Sequence, residues 1–392
     1  MGRAHSTAWL NTAKFFDLPR EPVMSGVAAR DAMGVAAFAR RYGWGRSTTD
    51  WRDLLADPSI DLIDVATPNH VHAEQSIAAL EAGKHVACEK PLAGTLADAK
   101  AMRDAARKAA RKGVKTFVWF NYRRCPAVAY ARELVAAGRL GRIFHVRAAY
   151  LQDWGGPETP LLWRFNSAEA GSGAHGDLNA HIIDMARFIT GEEIIEVAGA
   201  IEHTFITQRP LLSGADRTKG GIRSRGATKR ARTSAARPAT GRSTVDDCVL
   251  FLARMSGGAV ASFEATRLAT GNQNRNRIEI NGEHGSILFD FERMNELQWW
   301  DHQLPVAERG WSRIMCTTPG AHPYVDAYWP PAHGLGYEHG FISQAADIVK
   351  VLGGVAPVAP LADFEDAYRT QCVLEAAVES ARKRRPVAVG QD

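Results

Sequence analysis

The sequence predicts an α/β fold in two parts: a doubly wound parallel sheet over residues 1–123 and an α+β domain with a large, mostly antiparallel sheet over residues 124–392. Three observations carry this. Short apolar runs alternate with helix-length stretches as far as Phe120, the rhythm of parallel strands joined by helices. Beyond Pro126 the strand-like runs crowd together with few helices between them, as in an antiparallel sheet with one covered face. The length of 392 residues is too great for one ordinary core and suits two.

Val23 to Ala29 reads as a strand, followed by a helix from Ala32 to Tyr42 that stops at Gly43. Thr49 or Asp50 caps a short helix ending before Asp57-Pro58. Leu62 to Ala66 is a nearly all-apolar strand, as expected for burial on both faces. Thr67-Pro68-Asn69 then turns into a helix from His70 to Ala82, closed by Gly83. The strand His85 to Cys88 delivers Glu89-Lys90-Pro91 at its C-terminal end, where an open parallel sheet places its ligand. A helix from Thr95 to Lys112 and a strand from Thr116 to Phe120 complete this half, which leads into Asn121-Tyr122-Arg123-Arg124.

Pro126 opens a helix that Gly138 ends. Strand-like runs follow at Ile143 to Gln152, Ile194 to Phe205, Asp247 to Met255, Ala259 to Arg267, Arg277 to Ile280 and Ser286 to Phe291. Asn281-Gly282 marks a tight hairpin between the last two. One helical pattern interrupts them, Ala174 to Ile189, in which Asp177 and His181 stand four apart and so share a face that Asp184 and Phe188 continue. Leu178, Ile182, Met185, Ala186 and Ile189 form the apolar stripe beside it.

The formal charge of +5 belongs to one stretch. Nine cations from Arg217 to Arg242 lie together with no acid among them, so the remainder is net acidic. Without aromatic residues or a recognition element, that stretch reads as a mobile solvated loop between two strands and not as a nucleic-acid site. The five cysteines (Cys88, Cys125, Cys248, Cys316, Cys372) are scattered and form no CxxC, which fits buried thiols in a reducing compartment. No signal-peptide core and no membrane-length apolar run is visible, so a cytoplasmic protein is expected. The histidines show no ligand spacing, and no metal is expected.

Taken in order, Thr67-Pro68-Asn69-His70-Val71-His72, Glu89-Lys90-Pro91 and Gly176-Asp177-Leu178-Asn179-Ala180-His181 resemble the Gfo/Idh/MocA family of nicotinamide-dependent sugar and polyol oxidoreductases, and within it the branch of levoglucosan and inositol dehydrogenases. The small-residue stretch Ala170-Gly171-Ser172-Gly173-Ala174 resembles the lead-in to that family's catalytic helix. The resemblance spans nearly the whole chain. It implies a Rossmann-type first domain, with NADP or NAD as cofactor, and a second domain whose open sheet face makes a homodimer or homotetramer.

The same resemblance assigns roles. Oxidising an alcohol means taking a hydroxyl proton while hydride leaves the carbon; a histidine can accept that proton near neutrality, a carboxylate can orient the ring, and an ammonium can stabilise the alkoxide. His181 is the implied base, Asp177 its partner and Lys90 the donor to the substrate oxygen. Glu89 and Pro91 shape the turn that aims Lys90. Thr67, Pro68, Asn69, His72, Asn121, Trp163 and Arg164 resemble cofactor-contacting positions, and Tyr122, Gln152, Asp153, Trp154, Trp329, His333 and Tyr337 positions near the sugar. Gly2, with Arg3 and Ala4, looks like the third glycine of GxGxxG; the family's first strand and two earlier glycines have no counterpart, so a natural start further upstream is expected. Arg30 stands where an acid usually reads the ribose hydroxyls, which tilts the choice toward NADP. Two other readings stay open: an NAD-dependent glycosidase of the same fold, and a non-catalytic dinucleotide-binding relative.

Overall fold

A computed structural model describes residues 1–212 and 239–390. The basic stretch predicted as a solvated loop lies mostly outside the described residues. Its last cation, Arg242, is exposed on the short strand Thr240–Arg242, which pairs with Gln208–Pro210.

The first domain holds its parallel strands in two sheets. Gly26–Ala28 pairs with Arg46–Thr48, and Leu62–Val65, His85–Cys88 and Thr116–Val118 form a three-stranded sheet in that order. The helix Gly2–Phe15 bridges them: Ser6 accepts a hydrogen bond from Trp44 Nε1 at 3.0 Å beside the first sheet, while His5 and Trp9 bond to Asp64 of the second. Leu62–Val65 is only half-buried along most of its length, less covered than its apolar sequence predicts. The helix Ala32–Tyr42 ends at a left-handed Gly43 as expected, and Thr95 caps Leu96–Ala110 by accepting from Asp98 N.

The second domain is built on a nine-stranded sheet. Its spatial order is Trp311–Met315, Glu296–Asp301, Gly285–Asp290, Arg275–Gly282, Ile143–Leu151, Val260–Thr266, Cys248–Met255, Ile194–His203, Val387–Ala388, with one parallel pair, Ile143–Leu151 beside Val260–Thr266. Alternate residues such as Val249, Phe251, Phe263, Ile278 and Phe289 point inward, with Phe251 and Phe263 stacked 4.9 Å apart. Helices Pro126–Ala136, Ala180–Thr190 and Phe364–Lys383 cover that face. The hairpin expected at Asn281-Gly282 turns two residues later. Asn281 still pairs with Ser286, and the bend falls on Glu283-His284, whose N–H groups are tied to the carbonyls of Arg142 and Leu140. This tertiary anchoring outweighs the local preference of an Asn-Gly pair. Two long helices, Tyr337–Leu352 and Phe364–Lys383, and the strands Glu296–Asp301 and Trp311–Met315 escaped the sequence reading. No helix among the described residues is long and apolar enough to cross a membrane.

The two domains meet through backbone. Within the second domain a Cβ on Gly173 would lie 1.8 Å from the Asp246 carbonyl oxygen, and across the domain seam a Cβ on Gly171, which has φ +77°, would lie 2.2 Å from that of Gly94. Asn69 Nδ2 donates to Ala170 O at 2.9 Å across the same seam. Asp246 also caps the adjoining helix start, its carboxylate accepting from Gly173 N at 2.6 Å and His175 N at 2.8 Å, where N–H groups lack carbonyl partners. Gly173→Ala is therefore expected to cost about 1 to 3 kcal/mol by overpacking. Thermal unfolding checks this, and an unchanged midpoint would show that the Gly173–Asp246 contact yields more readily than its spacing suggests.

Candidate active site

The helix that carries Asp177 and His181 is not regular. His175–Asn179 forms one π turn, and only from Ala180 to Thr190 does the α-helix run to a left-handed Gly191. Such turns occur mostly as single insertions at functional sites. This one alters the pairing predicted from a four-residue spacing. Asp177 does not bond to His181, because the wider turn swings its carboxylate toward the other domain.

There Asp177 binds two cations. Lys90 Nζ donates to Asp177 Oδ1 at 2.9 Å and to the Asp177 carbonyl at 2.7 Å, and Arg267 NH2 donates to Oδ2 at 2.8 Å. Burial alone would raise the pKa of Asp177, but Lys90, Arg267 and Arg164 together hold it well below the usual carboxylate range. Two of the three Lys90 donors are thus occupied, and the third is left for a ligand oxygen. Arg267 has no sequence signal: it is a fully buried arginine just past the strand Val260–Thr266, packed 5.0 Å over the Trp154 ring.

His181 is buried against aromatic rings, with Tyr122 4.6 Å, Tyr150 5.9 Å and Phe120 6.3 Å away. Its Nδ1 is buried without a hydrogen-bond partner. Burial first, and then the charge of Lys90, hold its pKa well below the ordinary value of 6.5, so the ring is neutral at physiological pH. The charges of Lys90 and Asp177 both bear on the His181 ring, the first lowering and the second raising its pKa.

A polar relay lines one wall. Tyr122 shares a 2.7 Å hydrogen bond with Tyr150, Tyr150 donates to Asn274 Oδ1 at 2.8 Å, Gln152 Nε2 donates to the same oxygen at 2.7 Å, and Trp154 Nε1 donates to Gln152 Oε1 at 2.5 Å. Tyr150 and Asn274 join this wall unannounced by the sequence. Tyr337 stands half-exposed at the start of its helix, 5.1 Å from Phe341; burial, then the charges of Glu89, Tyr150 and Asp177, raise its hydroxyl above its usual range. Asp153 Oδ2 accepts weakly from Gly271 N at 3.5 Å. Trp329 packs edge-on to Phe15 at 5.6 Å, and His333 is exposed.

The residues expected to meet a cofactor divide in two. Thr67, Pro68, Asn69, Trp163 and Arg164 are partly accessible, with Arg164 4.4 Å over the Trp163 ring. His72 is fully buried, its ring nitrogens facing the carbonyls of Thr67, Pro91 and Leu92, so it braces both turns from behind. Glu89 and Asn121 are likewise buried. Gly2, Arg3 and Ala4 begin a 14-residue helix whose first turn has no acid and no side-chain cap, which leaves N–H donors suited to a diphosphate. Arg30 is exposed beyond the strand Gly26–Ala28.

Known proteins resemble this chain along its whole length. Residues 1–117 match the oxidoreductase family model with an NAD-binding Rossmann fold, and residues 128–288 match the GFO/IDH/MocA C-terminal domain. Levoglucosan dehydrogenase of Pseudarthrobacter phenanthrenivorans is 43% identical over 394 residues, covering 100% of this chain and 96% of that protein. An oxidoreductase domain protein from Kribbella flavida superposes with a TM-score of 0.90 at 47% identity, covering 100% of this chain and 96% of its own. Levoglucosan dehydrogenase in complex with NADH and L-sorbose superposes at 0.88 with 42% identity, again over 100% of this chain and 96% of that one. Fold, site and likeness together make the chain a member of the Gfo/Idh/MocA oxidoreductase family.

Proposed function

We propose that this enzyme oxidises a secondary hydroxyl of a cyclic sugar, anhydrosugar or inositol, working as a homodimer or homotetramer with its domains divided between residues 123 and 124. The observation that carries the reading is the convergence on Asp177 of an ammonium from the first domain, beside a neutral imidazole from the second. A full-length relative that is a levoglucosan dehydrogenase supports an anhydrosugar within that class. NAD comes first as cofactor, on the NADH complexes of that relative, and Arg30 is the feature that would admit a 2′-phosphate.

The uncapped start of the helix Gly2–Phe15 would hold the diphosphate, and the Thr67 and Trp163-Arg164 segments the rest of the dinucleotide. Bound nicotinamide supplies the hydride acceptor. His181 takes the hydroxyl proton, which its neutral state permits. A base with so low a pKa is weak, and the free donor of Lys90 compensates by stabilising the alkoxide as it forms. Asp177, pinned by Arg267, holds Lys90 in place. The relay from Tyr122 to Trp154 presents polar atoms to the ring hydroxyls, and Tyr337 closes the mouth. Subunit contact falls on the outer face of the large sheet, where Ile201, Leu250, Leu252 and Val260 are exposed.

A panel of sugars, anhydrosugars and inositols with NAD and NADP separately tests the assignment through the absorbance of reduced cofactor. Lys90→Ala and His181→Ala are each expected to lower kcat by about 100-fold or more, with cofactor affinity within about threefold of wild type by fluorescence titration. Full turnover in both variants would sink the proposal. Because the folded-state pKa of His181 is depressed, its base form persists as pH falls through 6.5, so the acid limb of kcat/KM lies below that value. A limb at or above it removes His181 from the role. Arg267→Met leaves a partly buried carboxylate with one cation fewer; a stability loss on the order of 3 kcal/mol and a fall in kcat exceeding any rise in KM are expected from unfolding curves and steady-state rates.

A further inference from the structure

His5, on the buried side of the helix Gly2–Phe15, is 2% exposed and sits between two carboxylates of the three-stranded sheet. Its Nδ1 lies 3.0 Å from both oxygens of Asp64, and its Nε2 lies 2.8 Å from Glu89 Oε1. Ionised carboxylates only accept hydrogen bonds, so both ring nitrogens must carry protons and the ring is an imidazolium. Asp64 accepts two further hydrogen bonds, from Trp9 Nε1 at 2.7 Å and Trp119 Nε1 at 2.9 Å. Glu89 Oε2 accepts from the backbone N–H of Lys90 at 3.0 Å. One continuous line of charge-assisted bonds therefore runs from Asp64 through His5 and Glu89 to the backbone of Lys90, whose ammonium reaches Asp177.

We propose that His5 is a positioning residue for Lys90: its imidazolium keeps Glu89 ionised inside the fold, and ionised Glu89 fixes the peptide from which the Lys90 ammonium is aimed. This rests on the reading of Lys90 as donor to the substrate oxygen. Glu89 is 4% exposed, and without His5 it would keep a peptide N–H and the nearby positive charges of Lys90 and Arg164. Burial would then drive its pKa up and let it protonate within the working range. In the intact protein the balance runs the other way. Burial disfavours the His5 charge, but Asp64 and Glu89 outweigh it and raise its pKa to about 9, while His5 and Lys90 overcome burial to keep Glu89 low. The aromatic rings beside His5, Trp119 at 4.2 Å and Phe341 at 5.7 Å, carry no charge, while Arg164, His72 and Tyr337 also bear on Glu89.

Two measurements test the clamp. In wild-type protein labelled with 15N-histidine, the His5 ring is expected to show two protonated nitrogens at pH 7, assigned by its absence in His5→Gln. A neutral tautomer overturns the proposal, whatever substrate the enzyme proves to use. In His5→Gln, kcat for the best sugar of the panel is expected to fall about tenfold or more at pH 6 and less at pH 8.5, the size of loss seen when a partner supporting a reacting group is removed. NADH affinity should stay within threefold. The double variant His5→Gln/Glu89→Gln should lose this added pH dependence. A His5→Gln profile parallel to wild type overturns the proposal, as does one whose added limb survives in the double variant. Should His5→Gln not fold, Glu89→Gln alone is informative: lower kcat with unchanged sugar KM supports the clamp, and wild-type kcat refutes it. Wild-type protein with an imidazolium His5 but no turnover of any sugar would instead refute the dehydrogenase reading and leave the clamp intact.

Discussion

The surplus of positive charge around Asp177 governs the site. One carboxylate answers Lys90 and Arg267 directly and feels Arg164 nearby, so the cluster keeps net positive charge where water is largely excluded. Such a field has two effects. It favours an alkoxide over an alcohol, and it disfavours a proton on His181 until a substrate brings negative charge to offset it. The base and the electrophile of the proposed reaction are tuned by the same ions. Because Lys90 follows a strand of the first domain and Arg267 a strand of the second, the tuning exists only when the domains are assembled.

Sequence periodicity conveyed the first domain well, because its elements are short and punctuated by glycines. The helix from Ala32 to Tyr42 and the strand His85–Cys88 end at the residues that their neighbours specify. The later part was harder. Tyr337–Leu352 and Phe364–Lys383 are buried over much of their surface, which blurs the polar and apolar faces that mark an amphipathic helix. The strand pair at Asn281-Gly282 obeyed its tether to Leu140 and Arg142 over its own turn preference.

At the site, Lys90 and His181 were legible as motifs, but their partners were not. Asp177 turned away from His181 because the backbone widens by one residue at the π turn, which no side-chain pattern records. Arg267, Tyr150 and Asn274 contribute through tertiary position alone. His72 illustrates the converse. It sits in a recognisable motif, yet its imidazole spends both nitrogens on peptide carbonyls and never reaches the cleft surface.

The backbone seam where Gly171 meets Gly94 bears on how this scaffold can change. With no room for even a methyl group at Gly171, the approach of the two domains is fixed there, and altered substrate choice is better sought at the rim. Libraries aimed at new sugars belong at Gln152, Trp154 and Tyr337, where a side chain can be exchanged without moving one half of the molecule against the other.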